Sequence, residues 1–171
     1  MLLYSTLTFM KKVLFIATSN RTKGGITSVL NIYKQCAFWS KYQIKWIATH
    51  IDTNQLTKLF YFFYGLSKFL LLIWFYNIVH IHVGELTSCR RKYLFYYISK
   101  LLRKKVIIHF HIGAQIEGLV GVKMCENMIR EADAIIVLSN EIKKVLLNSF
   151  QLNAENIHVV YNPCTSIKDI E

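Results

Sequence analysis

Short apolar runs rich in β-branched residues alternate with helix-length segments along almost the whole chain. Strands that alternate with helices pair in parallel, because each helix carries the chain back across the sheet in a right-handed crossover. The runs are apolar on both faces, as expected where helices cover both sides of a sheet. The sequence therefore predicts one α/β domain, a doubly wound parallel sheet of about six strands with helices on both faces. The predicted strands are Lys12–Thr18, Gln43–Thr49, Ile78–Val83, Val106–His111, Ala134–Leu138 and Ile157–Tyr161, and the predicted helices are Ile26–Phe38, Gln55–Phe75, Leu86–Arg103, Val122–Glu131 and Glu141–Phe150.

Two strands of this pattern end in the same way, in His-x-His followed shortly by glycine: His80 and His82 in one, His109 and His111 in the other. Successive strand side chains point to opposite faces, so the members of each pair share a face. Ligands of open parallel sheets bind outside the carboxyl ends of the strands. We therefore expect His82 and His111 to hydrogen-bond a sugar hydroxyl or a phosphate. The two deeper histidines are interpreted as core residues. A zinc site built from the two pairs is the alternative, and it is disfavoured because no carboxylate or thiolate is placed to complete it, so no metal site is predicted.

A glycine-rich turn follows the first predicted strand. The chain passes through Ser19 to Gly24 and Gly25, and a helix opens directly afterwards with Ile26 and Thr27. Glycine lets a ligand approach the backbone, and a helix N-terminus offers free N–H groups at the positive end of its dipole. The turn is therefore a candidate pyrophosphate cradle. It is neither the G-x-G-x-x-G dinucleotide motif nor a P-loop, and a tight turn alone would also require glycine.

Three further candidate binding residues come after predicted strands. Glu85 directly follows the first His-x-His strand, Gly113 follows the second, and Ser139 follows the strand that ends at Leu138. Ser139 lacks the G-x-S-x-G surroundings of a hydrolase nucleophile. It is therefore either the N-cap of the next helix or a hydroxyl that lines the cleft.

Basic residues are concentrated in the first two thirds of the chain. Residues 1–116 hold 16 Lys and Arg against two acids, whereas residues 117–171 hold five against eight, within a net charge of +11. This asymmetry predicts a polyanionic partner, either the anionic face of a membrane or a nucleic acid. No nucleic-acid recognition motif accompanies the charge, which favours the membrane.

The predicted helix Leu86–Arg103 has one side on which basic and aromatic residues are interleaved, and we expect its other side to pack on the sheet. Cations mixed with aromatic rings outside a core are typical of a membrane interface. Nucleic-acid binding or a solvated helix face are the alternatives. The predicted membrane surface consists of Arg90, Arg91, Lys92, Phe95, Tyr96, Lys100 and Arg103, and the predicted core side of Leu86, Tyr93, Leu94, Tyr97, Ile98, Leu101 and Leu102.

The most apolar stretch, Leu59–Tyr76, is about 18 residues long, which is the lower limit for a membrane span. Lys58, Tyr61, Gly65 and Lys68 recur in it at helical spacing and give a narrow polar stripe. We therefore expect a buried or interfacial helix rather than a span. The first ten residues lack the pattern of a signal peptide, and the four cysteines form no C-x-x-C pair. We expect a cytoplasmic protein with reduced thiols, bound peripherally to the inner face of the cell membrane.

Taken in order, six segments resemble the N-terminal, Rossmann-like domain of family-4 glycosyltransferases, which have the GT-B fold. Each segment alone is a weak signal, but their order and spacing make the resemblance specific, and together they extend over nearly the whole chain after Met10. The segments are Lys11–Ile16, Gly24–Ile26, Ile78–His82, Val106–His111, Ala132–Ser139 and Ile157–Asn162.

The resemblance implies retaining transfer of a sugar, of the hexosyltransferase type, from a nucleotide-sugar to a cell-envelope or lipid-linked saccharide, without a metal or other cofactor. It implies that Gly24 and Gly25 approach the donor diphosphate and that His111 contacts the transferred sugar as the catalytic residue. Because the leaving phosphate is thought to act as the base, such enzymes need no pair of catalytic carboxylates, and stabilising the leaving diphosphate is the main demand. One difference is that Ile112 separates His111 from Gly113, whereas the family often has glycine directly after the histidine.

Family members continue past a segment like Tyr161–Pro163 into a second, nucleotide-binding domain, whereas this sequence ends at Glu171. We therefore expect an N-terminal extension over residues 1–10, the acceptor-side domain over 11–165 and the start of an interdomain linker over 166–171. The expected partners are a nucleotide-sugar, a saccharide or lipid-linked acceptor, an anionic membrane surface and a separate donor-binding chain, but no nucleic acid. The alternatives are an inactive truncated enzyme and a non-catalytic, membrane-associated binding module.

Overall fold

Six parallel strands form a single sheet in this computed structural model, which describes residues 11–163. The predicted extension over 1–10 and the predicted linker over 166–171 lie outside the described residues. The strand order is β2-β1-β3-β4-β5-β6, so β1 and β3 are neighbours on either side of the point where the chain reverses its progress across the sheet. The strands are β1 (Val13–Ala17), β2 (Lys45–Ala48), β3 (Ile78–Val83), β4 (Lys105–Phe110), β5 (Ala134–Val137) and β6 (Ile157–Val159).

Helices cover both faces of the sheet, which confirms the predicted doubly wound α/β fold. The first two helices pack on one face around Phe15 and Leu30, and the other four pack on the opposite face around Leu14 and Ile16. The helices are α1 (Gly25–Gln35), α2 (Ala37–Lys41), α3 (Gln55–Leu72), α4 (Leu86–Leu101), α5 (Lys123–Glu131) and α6 (Asn140–Phe150), with 3-10 helices at Ile73–Phe75, Ala114–Leu119 and Ala154–Asn156.

Every predicted element is present, but two predicted helices are subdivided. The helix predicted over Ile26–Phe38 is broken at Cys36, whose backbone is extended and separates α1 from α2. The helix predicted over Gln55–Phe75 ends as α3 at Leu72 and continues as one 3-10 turn. The cysteines of the described chain, at 36, 89 and 125, are free thiols, and Cys164 lies outside it.

Helix α4 is rotated relative to the prediction, so that residues of both predicted sides contact the core. Four residues of the predicted core side are half-buried against it: Leu86, Tyr93, Ile98 and Leu102. Lys92, Phe95 and Tyr96, which were assigned to a membrane surface, are buried. Phe95 contacts two aromatic rings of α3, with centroids 5.9 Å from Phe62 and 5.1 Å from Phe69. The prediction failed because both sides of this helix carry aromatic and aliphatic residues, so that hydrophobic periodicity did not distinguish them.

The predicted membrane surface on α4 is therefore wrong as a set. Arg91 is half-buried and faces the cleft described below, and the ammonium of Lys100 lies 3.4 Å from the Asp133 carboxylate. Only Arg90 and Arg103 of the predicted set are exposed. Three large residues that were assigned to the core are exposed instead: Leu94, Tyr97 and Leu101.

Candidate functional site

A cleft of about 990 Å³ lies at the carboxyl edge of the sheet. It opens where β1 and β3 lie side by side, which is the switch point at which doubly wound sheets bind their ligands. The segments that follow β1, β2, β3 and β4 all contribute to its lining. Of the predicted binding residues, the cleft brings together Gly24, Gly25, Ile26, Glu85, His111 and Gly113.

The glycine turn after β1 positions the N-terminus of α1 at this cleft. Gly24 is the N-cap residue and provides no side-chain cap, so the first N–H groups of α1 are open to a ligand. A Cβ atom added to Gly25 would have no neighbour within 4 Å. The space beside Gly25 is therefore open cleft rather than packed protein, as a phosphate cradle requires.

Thr27, predicted to belong to this cradle, is buried below it. Its hydroxyl donates to the Ser19 carbonyl over 3.3 Å and also lies 3.3 Å from the hydroxyl of Thr18. Thr27 therefore ties the first turn of α1 to the end of β1, and it positions the cradle without lining it.

A second helix N-terminus enters the cleft after β3. Glu85 is the N-cap residue of α4, and its carboxylate does not cap the helix but accepts a hydrogen bond of 2.7 Å from the Thr87 hydroxyl. The Gly84 N–H donates to the Ser88 hydroxyl over 3.3 Å. The positive ends of α1 and α4 thus meet at one site, which suits a ligand with two negative groups.

Three basic residues that the sequence interpretation did not place here also line the cleft: His50, Lys58 and Arg91. Burial lowers the pKa of the Arg91 guanidinium, while the nearby Glu85 carboxylate opposes this shift. Burial, followed by the charges of Arg91 and Lys58, lowers the pKa of His50 to about 4, so that His50 is neutral at pH 7. Lys58 lies 3.6 Å from the carboxylate of Asp52.

The sequence contained signals for these residues. His50 follows β2 closely, and the carboxyl-end rule that identified His82 and His111 applies equally to it. Arg91 was missed because the rotation of α4 was predicted wrongly. Lys58 was recognised only as part of the polar stripe of α3.

The two His-x-His pairs form one stack of imidazole rings on the face of the sheet that α1 and α2 cover. His80 and His82 stack with centroids 4.4 Å apart, and His109 and His111 with centroids 4.1 Å apart. The Nδ1 atom of His82 lies 2.9 Å from the Nε2 atom of His111, so one of these rings donates to the other. Burial lowers the pKa of all four, to about 4 for His109 and about 3 for His111, so the stack is neutral.

Within this stack, only His111 reaches the cleft. His82 is fully buried behind it and has no direct access to a ligand. Both ring nitrogens of His111 are turned inward, since Nε2 bonds His82 and Nδ1 is buried without a protein partner among the described residues. The prediction that His82 contacts a ligand is corrected: it positions the ring of His111.

The histidine stack does not have the geometry of a zinc site. His80, His82 and His109 each bring one ring nitrogen within 4.8 Å of the other two. The planes of His80 and His82 are only 11° from parallel, so their in-plane lone pairs do not converge on one point. The expectation that the protein holds no metal stays a prediction.

Of the two roles predicted for Ser139, helix N-cap and cleft-lining hydroxyl, the structure shows the first. Ser139 is the N-cap of α6, and its hydroxyl accepts a hydrogen bond of 3.3 Å from the Ile142 N–H. It does not belong to the lining of the cleft.

A narrower groove of about 300 Å³ adjoins the cleft and runs to the beginning of α3. The two cavities share His50, Lys58 and Arg91, and the groove is completed by residues of α3 that include Leu59 and Phe62. It therefore connects a basic site with an apolar helix.

The sequence profile of Glycosyltransferase Family 4 matches residues 39–165. The chain belongs to this family. The match contains β2 to β6, both His-x-His pairs and the α4 N-terminus, whereas β1 and the glycine turn precede it. No curated protein matches the chain.

Membership of Glycosyltransferase Family 4 confirms the family resemblance and the glycosyltransferase-type function that it implies. Sugar-containing substrates follow at the same coarse level. In this family 4 domain, the cleft lies between two helix N-termini, at the position where doubly wound sheets bind their ligands.

Proposed function

We propose that this family 4 domain is the acceptor-side half of a retaining glycosyltransferase of the hexosyltransferase type. In this proposal it transfers a sugar from a nucleotide-sugar to a cell-envelope or lipid-linked saccharide. The observation that carries the proposal is the convergence of the α1 and α4 N-termini with Arg91 in one cleft. Two helix dipoles and a guanidinium form a site for the diphosphate of such a donor.

The diphosphate lies beside Gly25, where the missing side chain leaves room, and the N–H groups of both helices point to it. As the sugar leaves, negative charge accumulates on the diphosphate oxygens, and fixed positive groups stabilise it most in that state. Arg91, which is half-buried, is the guanidinium placed to do so.

In the transfer itself, the acceptor oxygen bonds to the anomeric carbon, the bond between that carbon and the phosphate oxygen breaks, and the acceptor proton passes to the leaving phosphate. His111 contributes a neutral imidazole, because its pKa of about 3 keeps it unprotonated at pH 7. It contacts the sugar by exchanging its hydrogen bond with His82 for one with a sugar hydroxyl.

A second nucleotide-binding unit completes the site in this proposal. No Phe, Tyr or Trp is present among the described residues that line the cleft, so they offer no broad aromatic surface on which a base could stack. The cleft holds the diphosphate and the sugar, and the facing unit holds the nucleoside.

The test compares Arg91→Ala with the matched control Arg90→Ala, since Arg90 is the exposed neighbour outside the cleft. Binding of UDP-sugars and GDP-sugars is measured by titration calorimetry, and transfer to membrane-extracted saccharides is measured with and without a candidate nucleotide-binding chain. Arg91→Ala is expected to weaken donor binding roughly 10- to 100-fold, the contribution of a hydrogen-bonded charge, and Arg90→Ala to leave it unchanged.

Equal donor binding by both variants would contradict the role given to the cleft. Donor binding without sugar transfer in any combination would favour the non-catalytic binding module over the enzyme.

A further inference from the structure

Helix α3 packs on the domain with its polar stripe facing inward. Gly65 lies against β2 so closely that a Cβ atom there would be 2.5 Å from the Ala48 carbonyl oxygen. Lys58 and Lys68, on the same side of the helix, are half-buried, and Phe69 and Ile73 complete the contact. This is the reverse of an ordinary amphipathic helix, whose polar side faces water.

The outward side of α3 and of the 3-10 turn after it is apolar along its whole length. Leu71, Trp74 and Phe75 are each exposed over about 70% of their surface (73%, 66% and 70%). The Ser67 hydroxyl on this side donates to the Phe63 carbonyl of its own helix over 2.9 Å, and Tyr64 adds a phenolic hydroxyl. The α3 outer face consists of Leu56, Leu59, Phe60, Phe63, Tyr64, Leu70, Leu71, Trp74 and Phe75.

Exposure on this scale points to a partner surface rather than to scattered apolar residues. By length and composition, Gln55–Phe75 is the one helical segment of the described chain that could cross a membrane. Its packing against β2 through Gly65 argues against a span, because a spanning helix would have to leave the sheet. A helix fixed to the domain on one side can instead lie in the plane of the interface.

Positive charge meets the α3 outer face at Lys68, whose ammonium lies 5.8 Å from the centroid of the Tyr64 ring. A cleft of about 360 Å³ between α3, β2 and α2 is lined by Lys34, Lys45 and Lys68 together with Trp39 and Trp46, and no acid lines it among the described residues. Helix α3 itself contains no acid. Lysines beside aromatic rings match the lipid interface, where phosphates attract the cations and the rings lie at headgroup depth.

We propose that the α3 outer face docks onto an anionic membrane, with its apolar side chains at the acyl boundary and the lysine–tryptophan cleft over lipid phosphates. This inference goes beyond the proposed function and does not depend on it. The membrane is favoured over a protein partner because the apolar surface is bordered by cations and contains no acid, the complement of an anionic lipid surface.

The test uses sedimentation of the full chain with phosphatidylcholine vesicles, with and without phosphatidylglycerol. The wild type is expected to bind the anionic vesicles. The triple variant Phe60→Ser, Leu71→Ser and Trp74→Ser is expected to bind them at least about 100-fold more weakly, because each residue loses the gain from burying a large apolar side chain.

The matched control removes three exposed apolar side chains from α4, in the variant Leu94→Ser, Tyr97→Ser and Leu101→Ser. It is expected to bind the vesicles as the wild type does. Circular dichroism confirms that both triple variants are folded.

A separate variant, Lys34→Ala with Lys45→Ala, examines the charge. It is expected to weaken binding to anionic vesicles roughly fivefold for each lysine and to leave binding to neutral vesicles unchanged.

The proposal is overturned if the wild type binds neither vesicle or if both triple variants bind alike. It is also overturned if the wild type is an oligomer that does not bind vesicles and the α3 triple variant is a monomer, since a second copy of the chain would then cover the α3 outer face. Donor binding measured in the same preparations separates these outcomes from a failure of the proposed enzymatic function.

Discussion

Most buried imidazoles are hydrogen-bonded, which offsets the cost of removing their nitrogens from water. His109 is buried without such hydrogen bonds within the described chain. Its side chain is 1% exposed, and neither ring nitrogen has a protein partner among the described residues. Burying an unpaired polar group lowers the free energy of unfolding. Through stacking, His109 supports His111, which reaches the cleft.

Replacement of His109 by leucine is expected to leave the free energy of unfolding at neutral pH unchanged or to raise it by up to about 2 kcal/mol, since the unpaired nitrogens disappear. Urea denaturation measures this. The control His158→Leu, at an exposed position of the edge strand β6, should change stability by less than about 0.5 kcal/mol. A loss above about 2 kcal/mol for His109→Leu would show that these nitrogens bind a partner.

At the scale of elements, the contact between α3 and β2 leaves no room for an added side chain, because backbone meets backbone at Gly65. Gly65→Ala is therefore expected to lower the free energy of unfolding by about 1–3 kcal/mol, the range for overpacking. The control Gly118→Ala, whose Cβ would meet nothing within 4 Å, should stay within about 0.5 kcal/mol. Equal urea midpoints for the two variants would contradict the docked position of α3.

The sequence predicted these elements unequally well. Strand β3 agrees with its prediction at both ends, since a β-branched run between turn residues defines a strand locally. The buried side of α4 was predicted only in part, because Phe95 and Tyr97 have similar hydrophobicity and only tertiary packing selects between them. The outward apolar side of α3 could not be predicted for a related reason: the pattern defines a polar stripe but not the direction in which it faces, and Gly65 shows that it faces β2.

Candidate site residues were predictable where topology alone placed them. Gly25 and His111 follow strands and reach the cleft, as any carboxyl-end residue of a parallel sheet can. Arg91 lies within a helix, two turns from the strand end, and its placement depends on the rotation of α4. That rotation is a property of the packed core and not of any local pattern.

For the whole molecule, buried bases control how stability depends on pH. The pKa values of His109 and His111 in the folded protein, about 4 and 3, lie below the usual 6.5. The unfolded chain therefore binds more protons than the folded one in this range, and stability present above pH 6.5 is lost as the pH falls towards 4. Burial and the neighbouring Arg91 lower the pKa of Lys92 to about 7, which extends the rise of stability with pH beyond neutrality.

We therefore expect the free energy of unfolding to increase steadily from about pH 5 to about pH 9. His109 and His111 should each contribute about 2 kcal/mol of loss between pH 7 and pH 5, and His50, His80 and His82, whose pKa values are also lowered, add to it. Urea denaturation at several pH values measures the trend, and His109→Leu should flatten its acidic part. A stability maximum on the acidic side of neutrality would contradict the neutral state of the stack.

The junction of Gly65 with Ala48 has a consequence for substrate choice. Strand β2 continues directly from this junction to His50 in the cleft, and the groove past Leu59 and Phe62 makes a second connection from α3 to the same place. If α3 docks at the lipid surface as proposed, the cleft would stand at a fixed height above the bilayer. The domain would then favour acceptors whose sugar reaches that height, and lipid-anchored acceptors would find it by a two-dimensional search at high effective concentration.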